Sequence, residues 1–186
     1  MASVSGPTNP SGDFLAEVET AFGQSISSCF HCGKCSSGCP VTFAMDLLPN
    51  QVLRLVQLGC KEQALGSSTI WLCASCQTCT TRCPNEVDIA GLMDVLRQQA
   101  VRDGVAVAEE DVVAFHDAFL GSVAKRGRVF EAGMLAEFRL RTRDHRPWLE
   151  DAELGWEMFR RGKLRLLPES IRGQQDIKEI FRRSED

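Results

Sequence analysis

The chain has 186 residues, a net charge of −4, 44% hydrophobic and 25% charged residues, a composition that fits one conventional domain or two small ones. No run approaches the roughly 18 apolar residues of a membrane span. The start, residues 1–12, is polar and rich in Ser, Pro and Gly, without the basic flank and apolar centre of a secretory signal.

Residues 1–12 therefore read as a disordered leader. Asp13–Phe22 follows with apolar residues at 14, 15, 18 and 22, a helical spacing closed by Gly23. A cysteine-rich stretch comes next. Pro49 suits a first helical turn, and Gln51–Leu58 continues as a helix ended by Gly59. Lys61–Leu65 is a short helical piece, and Thr69–Leu72 leads into a second cysteine-rich stretch. Asp88 reads as the N-cap of a helix to about Arg102. Further helices are expected over Glu109–Ala124, Ala132–Arg141, Asp151–Arg161 and Gln174–Arg183. No segment sustains period-two alternation, so the fold class is mostly α. We place a boundary near residue 105, between a cysteine-bearing domain (13–104) and a helical C-terminal region (105–186).

Charge is uneven along the chain. Residues 1–124 carry 6 basic and 13 acidic side chains, whereas residues 125–186 carry 15 and 12. The basic half interleaves acids with its cations, which suits a solvated or protein-binding surface and argues against a nucleic-acid partner.

Eight of the nine cysteines form one pattern twice: Cys29-x2-Cys32-x2-Cys35-x3-Cys39-Pro40 and Cys73-x2-Cys76-x2-Cys79-x3-Cys83-Pro84. The odd cysteine count and the lack of an export signal speak against a disulfide framework and for a cytoplasmic location. Zinc sites pair two CxxC units across a longer gap, which leaves the third cysteine and the Cys-Pro of each run unexplained. Iron takes thiolate ligands, and the run resembles the bacterial-ferredoxin signature for a [4Fe–4S] cluster, so two clusters are expected. In two-cluster ferredoxins the fourth cysteine serves the other cluster. The resemblance thus implies Cys29, Cys32, Cys35 and Cys83 for cluster 1, and Cys73, Cys76, Cys79 and Cys39 for cluster 2. Gly33, Ser36, Ser37 and Gly38 in one loop, and Ala74, Ser75 and Thr78 in the other, are small enough to let backbone N–H groups reach sulfur, which raises a cluster's potential. His31, Lys34 and Arg82 are either solvent-facing loop residues or cations that favour the reduced cluster.

The 33 residues between Cys39 and Cys73 read as helix, and the pattern resembles the α-helical ferredoxin domain. The chain as a whole resembles the C-type iron–sulfur component of soluble heterodisulfide reductase, on the segments CFHCGKCSSGCP (29–40), PNQVLRLVQLG (49–59), IWLCASCQTCTTRCPNEV (70–87) and RGKLRLLPESIRG (161–173). That resemblance implies an electron-transfer subunit of an oxidoreductase complex. It would relay single electrons from a flavin- and iron–sulfur-containing partner to a catalytic, cysteine-rich partner that reduces a disulfide. No adjacent Cys-Cys pair is present, so no catalytic residue is expected on this chain. Two other readings stay open: an iron–sulfur subunit of a quinone-linked dehydrogenase, against which stands the lack of cysteines before Cys29, and a zinc-binding interaction module. Cys60 reads as a buried structural thiol, and His116 and His145 as structural or surface residues. Trp148, Trp156 and Phe159 read as core or a docking face. Gly91, Gly121 and Gly133 are isolated and form no phosphate-binding loop.

Overall fold

The computed structural model of the chain describes residues 12–142, 148–163 and 167–185. Most of the leader and His145 lie outside them. The described residues are helical, with no strand among them. The chain divides into two compact units, 1–109 and 110–186.

In the first unit, α1 (Gly12–Phe22), α3 (Pro49–Gln57), α4 (Lys61–Leu65), α5 (Thr69–Leu72) and α7 (Ile89–Arg102) surround the core, while α2 (Lys34–Ser37) and α6 (Thr78–Thr81) lie inside the two cysteine runs. A single 3-10 turn occupies Thr42–Ala44. The apolar spacing read from the sequence is the buried face: Phe14 and Val18 on α1, Val52, Leu53 and Val56 on α3, Leu92, Met93 and Leu96 on α7. Each such side chain contributes about 1.5–3 kcal/mol by leaving water. α1 and α3 pack on each other, and α7 touches α1, α4, α5 and α6.

Side chains fix the joints of this frame. Asp88 caps α7, its Oδ1 accepting from the Gly91 N–H at 3.0 Å. Gln51 caps α3 by accepting from the Leu48 N–H at 2.8 Å. The segment entering the first cysteine run is held by Glu19, whose Oε1 accepts from the Ile26 N–H at 2.7 Å and the Ser25 hydroxyl at 3.0 Å. Burial alone would raise the Glu19 carboxyl; these hydrogen bonds outweigh it and hold the group below its ordinary value.

α5, which delivers Cys73, is only four residues long and is not self-sustaining. Asp46 supports it from 22 residues upstream. Its carboxylate accepts from the Ser68 N–H (3.1 Å), the Thr69 N–H (3.0 Å) and the Thr69 hydroxyl (2.7 Å). Burial pushes the Asp46 carboxyl up, and these donors more than reverse it, so the net shift is downward.

The second unit contains α8 (Glu110–Arg126), α9 (Glu131–Thr142), α10 (Trp148–Arg160) and α11 (Gln174–Glu185). α8 packs against α9 and α11. Phe115 meets Phe138 edge to face at 5.8 Å. Ser122, buried on α8, accepts from the Phe130 N–H at 2.9 Å. The Ile171 N–H donates to the Arg126 carbonyl at 3.1 Å, and Gln174 donates to the Lys125 carbonyl. His116 is exposed on α8, and Trp156 and Phe159 are exposed on α10, ring against ring at 5.9 Å.

Candidate metal centre

The two cysteine runs fold alike, position by position. The residue two after the first cysteine is left-handed in both, His31 (φ 54°) and Ser75 (φ 48°), and so is the residue four after it, Gly33 (φ 73°) and Gln77 (φ 60°). Non-glycine residues rarely adopt this region, yet three of these four are not glycine. The bend at His31 turns its backbone N–H onto Cys29 Sγ at 3.3 Å. From the matching position the Ser75 backbone favours the Cys73 thiolate. A four-residue helix then carries the third cysteine of each run, Cys35 on α2 and Cys79 on α6.

The residue after that third cysteine pins each loop to a long helix. The Ser36 hydroxyl donates to Asn50 Oδ1 at 2.5 Å and accepts from the Asn50 N–H at 3.1 Å, on α3. The Thr80 hydroxyl donates to Asp88 Oδ1 at 2.8 Å and accepts from the Ala90 N–H at 3.3 Å, on α7. Both contacts fall in the first turn of their helix. α2 and α6 also touch each other. There Gly38 lies against the Arg82 side chain, where any Cβ would collide with it. Gly38 and Arg82 each directly precede the fourth cysteine of their run. Asn85, two residues past Cys83, donates to the Ser28 carbonyl just before Cys29, so each run is stitched to the other.

This interlock sorts the eight thiols into two groups. Cys29, Cys32, Cys35 and Cys83 line one hollow, with Phe30, His31, Lys34 and Asn50. Cys73, Cys76, Cys79 and Cys39 line another, with Val41, Met45, Pro49 and Met93. Three thiols of each group come from one run and the fourth from the other. Ile89, at the start of α7, lines both. Cys60 lies outside both groups, buried at the start of α4, its Sγ 3.9 Å from the Leu58 carbonyl.

Burial pushes the Cys35, Cys73 and Cys79 thiols up, because a buried anion loses its hydration. For Cys73, the Arg97 guanidinium opposes that rise, while Asp94 and Cys39 add to it. Cys39 belongs to the other run. Cys76 differs: it is exposed, and the Thr78 hydroxyl beside its Sγ (3.4 Å) pulls it below the ordinary thiol value. Buried thiols become good ligands once a metal supplies the positive charge. Among the described residues no three His, Cys, Asp or Glu side chains converge closely enough to hold a single ion. The thiols instead line two hollows, four to each, the number of ligands that a cubane takes. Donor type, number and placement therefore fit a four-iron cluster in each hollow.

The helical frame thus holds two four-thiol hollows built on a doubled CxxCxxCxxxCP run. Residues 25–87 match the family model for a 4Fe–4S dicluster domain. Over a longer stretch the chain is similar to several curated proteins. One is the C-type component of the H(2):CoB-CoM heterodisulfide,ferredoxin reductase of Methanothermobacter marburgensis, 31% identical over 104 residues, which are 55% of this chain and 56% of that protein. Another is the C-type iron-sulfur component of the CoB--CoM heterodisulfide reductase of Methanopyrus kandleri, 31% over 110 residues, 55% and 57% of the two chains. A third is its counterpart in Methanocaldococcus jannaschii, 33% over 109 residues and 58% of each. The matched stretch spans little more than half the length of these curated relatives. Among the described residues no helix is long and apolar enough to cross a membrane.

Proposed function

We propose that this chain is the electron-transfer iron–sulfur subunit of a heterodisulfide reductase-like complex. Two [4Fe–4S] clusters, when bound, supply two one-electron carriers. Cluster 1 is held by Cys29, Cys32, Cys35 and Cys83, and cluster 2 by Cys73, Cys76, Cys79 and Cys39. The rest of the domain orients these ligands and keeps the two carriers close. Electrons enter from a flavin- and iron–sulfur-containing partner and leave to a cysteine-rich, disulfide-reducing one; this chain does no substrate chemistry. The unit after residue 105 docks it to these partners. A cytoplasmic location suits oxygen-sensitive clusters and free thiols.

The observation that carries the reading is the sorting of eight thiols into two groups of four, each completed by a cysteine from the opposite run. The names of the relatives supply the complex. The test is an anaerobic affinity pull-down of the full chain from its host, with metal and labile-sulfide analysis of the same material. A flavoprotein and a second cysteine-rich protein, with about eight iron per chain for two cubanes, are expected. A quinone-linked dehydrogenase and a membrane anchor in their place would remove the disulfide from the assignment, and zinc without sulfide would remove the clusters.

A further inference from the structure

The two hollows have unlike mouths. The one ringed by Cys73, Cys76, Cys79 and Cys39 is walled by Val41, Met45, Pro49, Ala74 and Met93 among apolar neighbours, and the cation near it, Arg97, is neutralised by its ion pair with Asp94 at 2.5 Å. The one ringed by Cys29, Cys32, Cys35 and Cys83 has His31 and Lys34 in its wall and no acidic residue. Both are exposed, and Phe30 beside them is 73% exposed. Among the described residues the Lys34 ammonium has no ion pair. Glu86, an acid close in sequence to Cys83, lines a separate recess.

The Lys34 ammonium stands out against its surroundings. Residues 1–109 carry 6 basic and 10 acidic side chains, and two clusters bound by thiolates add further negative charge. An anionic partner is therefore repelled by the unit as a whole, and the Lys34 side is a place where attraction can win at short range. Complementary charge steers and orients docking, and Phe30 adds exposed apolar surface in the same lining.

We propose that the mouth framed by Phe30, His31 and Lys34 is the docking port for an acidic redox partner, a protein whose own electron carrier is ringed by carboxylates. The proposal rests on the two-cluster reading above and adds the chemistry of one partner face.

The test uses the full, cluster-loaded chain, reduced anaerobically, and follows the microwave power saturation of its cluster EPR signal. Two relaxing probes are compared at low ionic strength: the tris-oxalato chromium(III) anion, which presents carboxylates, and the hexaammine chromium(III) cation. The anion is expected to speed relaxation more than the cation. Lys34→Glu should cut the anion's effect several-fold and raise the cation's, with Lys34→Gln between them, and added salt should erase the differences. Iron and sulfide content is measured in each variant. A chain without cubane signals sinks the two-cluster reading and the port with it. Intact clusters that the anion relaxes no more than the cation, or equally in Lys34→Glu, overturn the port alone.

Discussion

Cys39 and Cys83 decide whether the two runs are separate sites or one interlocked pair. Each lines the hollow of the opposite run, so lesions in the same hollow should not add. The double variant Cys32→Ser/Cys83→Ser should lose one cluster and keep about four iron, whereas Cys32→Ser/Cys39→Ser should lose both. Iron and sulfide analysis of the purified chains checks this; the reverse pattern would mean that each run closes its own cluster. Asp46 governs the approach to the second run in a pH-dependent way. Its carboxyl is depressed in the fold, so its contribution is present above the unfolded value of about 3.9 and is lost as pH falls through the lower folded value. Asp46→Ala should cost about 1 kcal/mol at neutral pH, in the range of lost helix caps. It should also flatten the pH dependence of stability below about pH 5. Denaturant titrations at several pH values read both effects.

At the scale of elements, α7 joins the core to both hollows, with Leu92, Met93 and Leu96 buried and Ile89 on both hollow walls. Leu96→Ala should destabilise the first unit by about 2–5 kcal/mol. Ser36→Ala and Thr80→Ala, each removing one loop-to-helix staple, should cost about 0.5–1.5 kcal/mol apiece. The helices α1, α3, α4 and α7 are legible in the sequence because their apolar residues recur at helical spacing and Gly23, Gly59 and Asp88 punctuate them. The grouping of the cysteines expected from the spacing of the runs and the resemblance to two-cluster ferredoxins matches the cysteines that share each hollow. α2, α5 and α6 are not legible: four residues hold too little periodicity, and what stabilises them is remote. Asp46 supports α5 across 23 positions, and Ser36 reaches Asn50 across 14. The matched left-handed pairs His31/Ser75 and Gly33/Gln77 escape for a related reason. Only Gly33 advertises its conformation, while the other three are held there by the loop. The equal offset of Ser36 and Thr80 from their third cysteines was the one signal available in the sequence.

At the scale of the whole molecule, the eight cysteines proposed as ligands all fall within residues 29–83, inside the first unit. The second unit has its own interior in the α8–α9–α11 contacts, the Phe115–Phe138 pair and the Ser122 staple. Between α7 and α8 runs 103–109, seven residues with no helix, mostly exposed, the kind of segment proteases cut. Limited proteolysis of the loaded chain should therefore cleave there first. The N-terminal piece should keep both clusters, because it holds all eight ligands and every hydrogen bond described for the loops. The C-terminal piece should stay helical by circular dichroism, since residues 110–186 contain no cysteine and pack through α8, α9 and α11. Cluster removal before proteolysis should change this outcome on one side only. The four-residue helices α2 and α6 lose the metal–thiolate bonds that compensate for their shortness, and cleavage should spread into the cysteine runs while the C-terminal piece persists. Iron that leaves with the C-terminal piece, or a first unit that sheds its clusters on cleavage, would instead make residues 110–186 part of the metal centre.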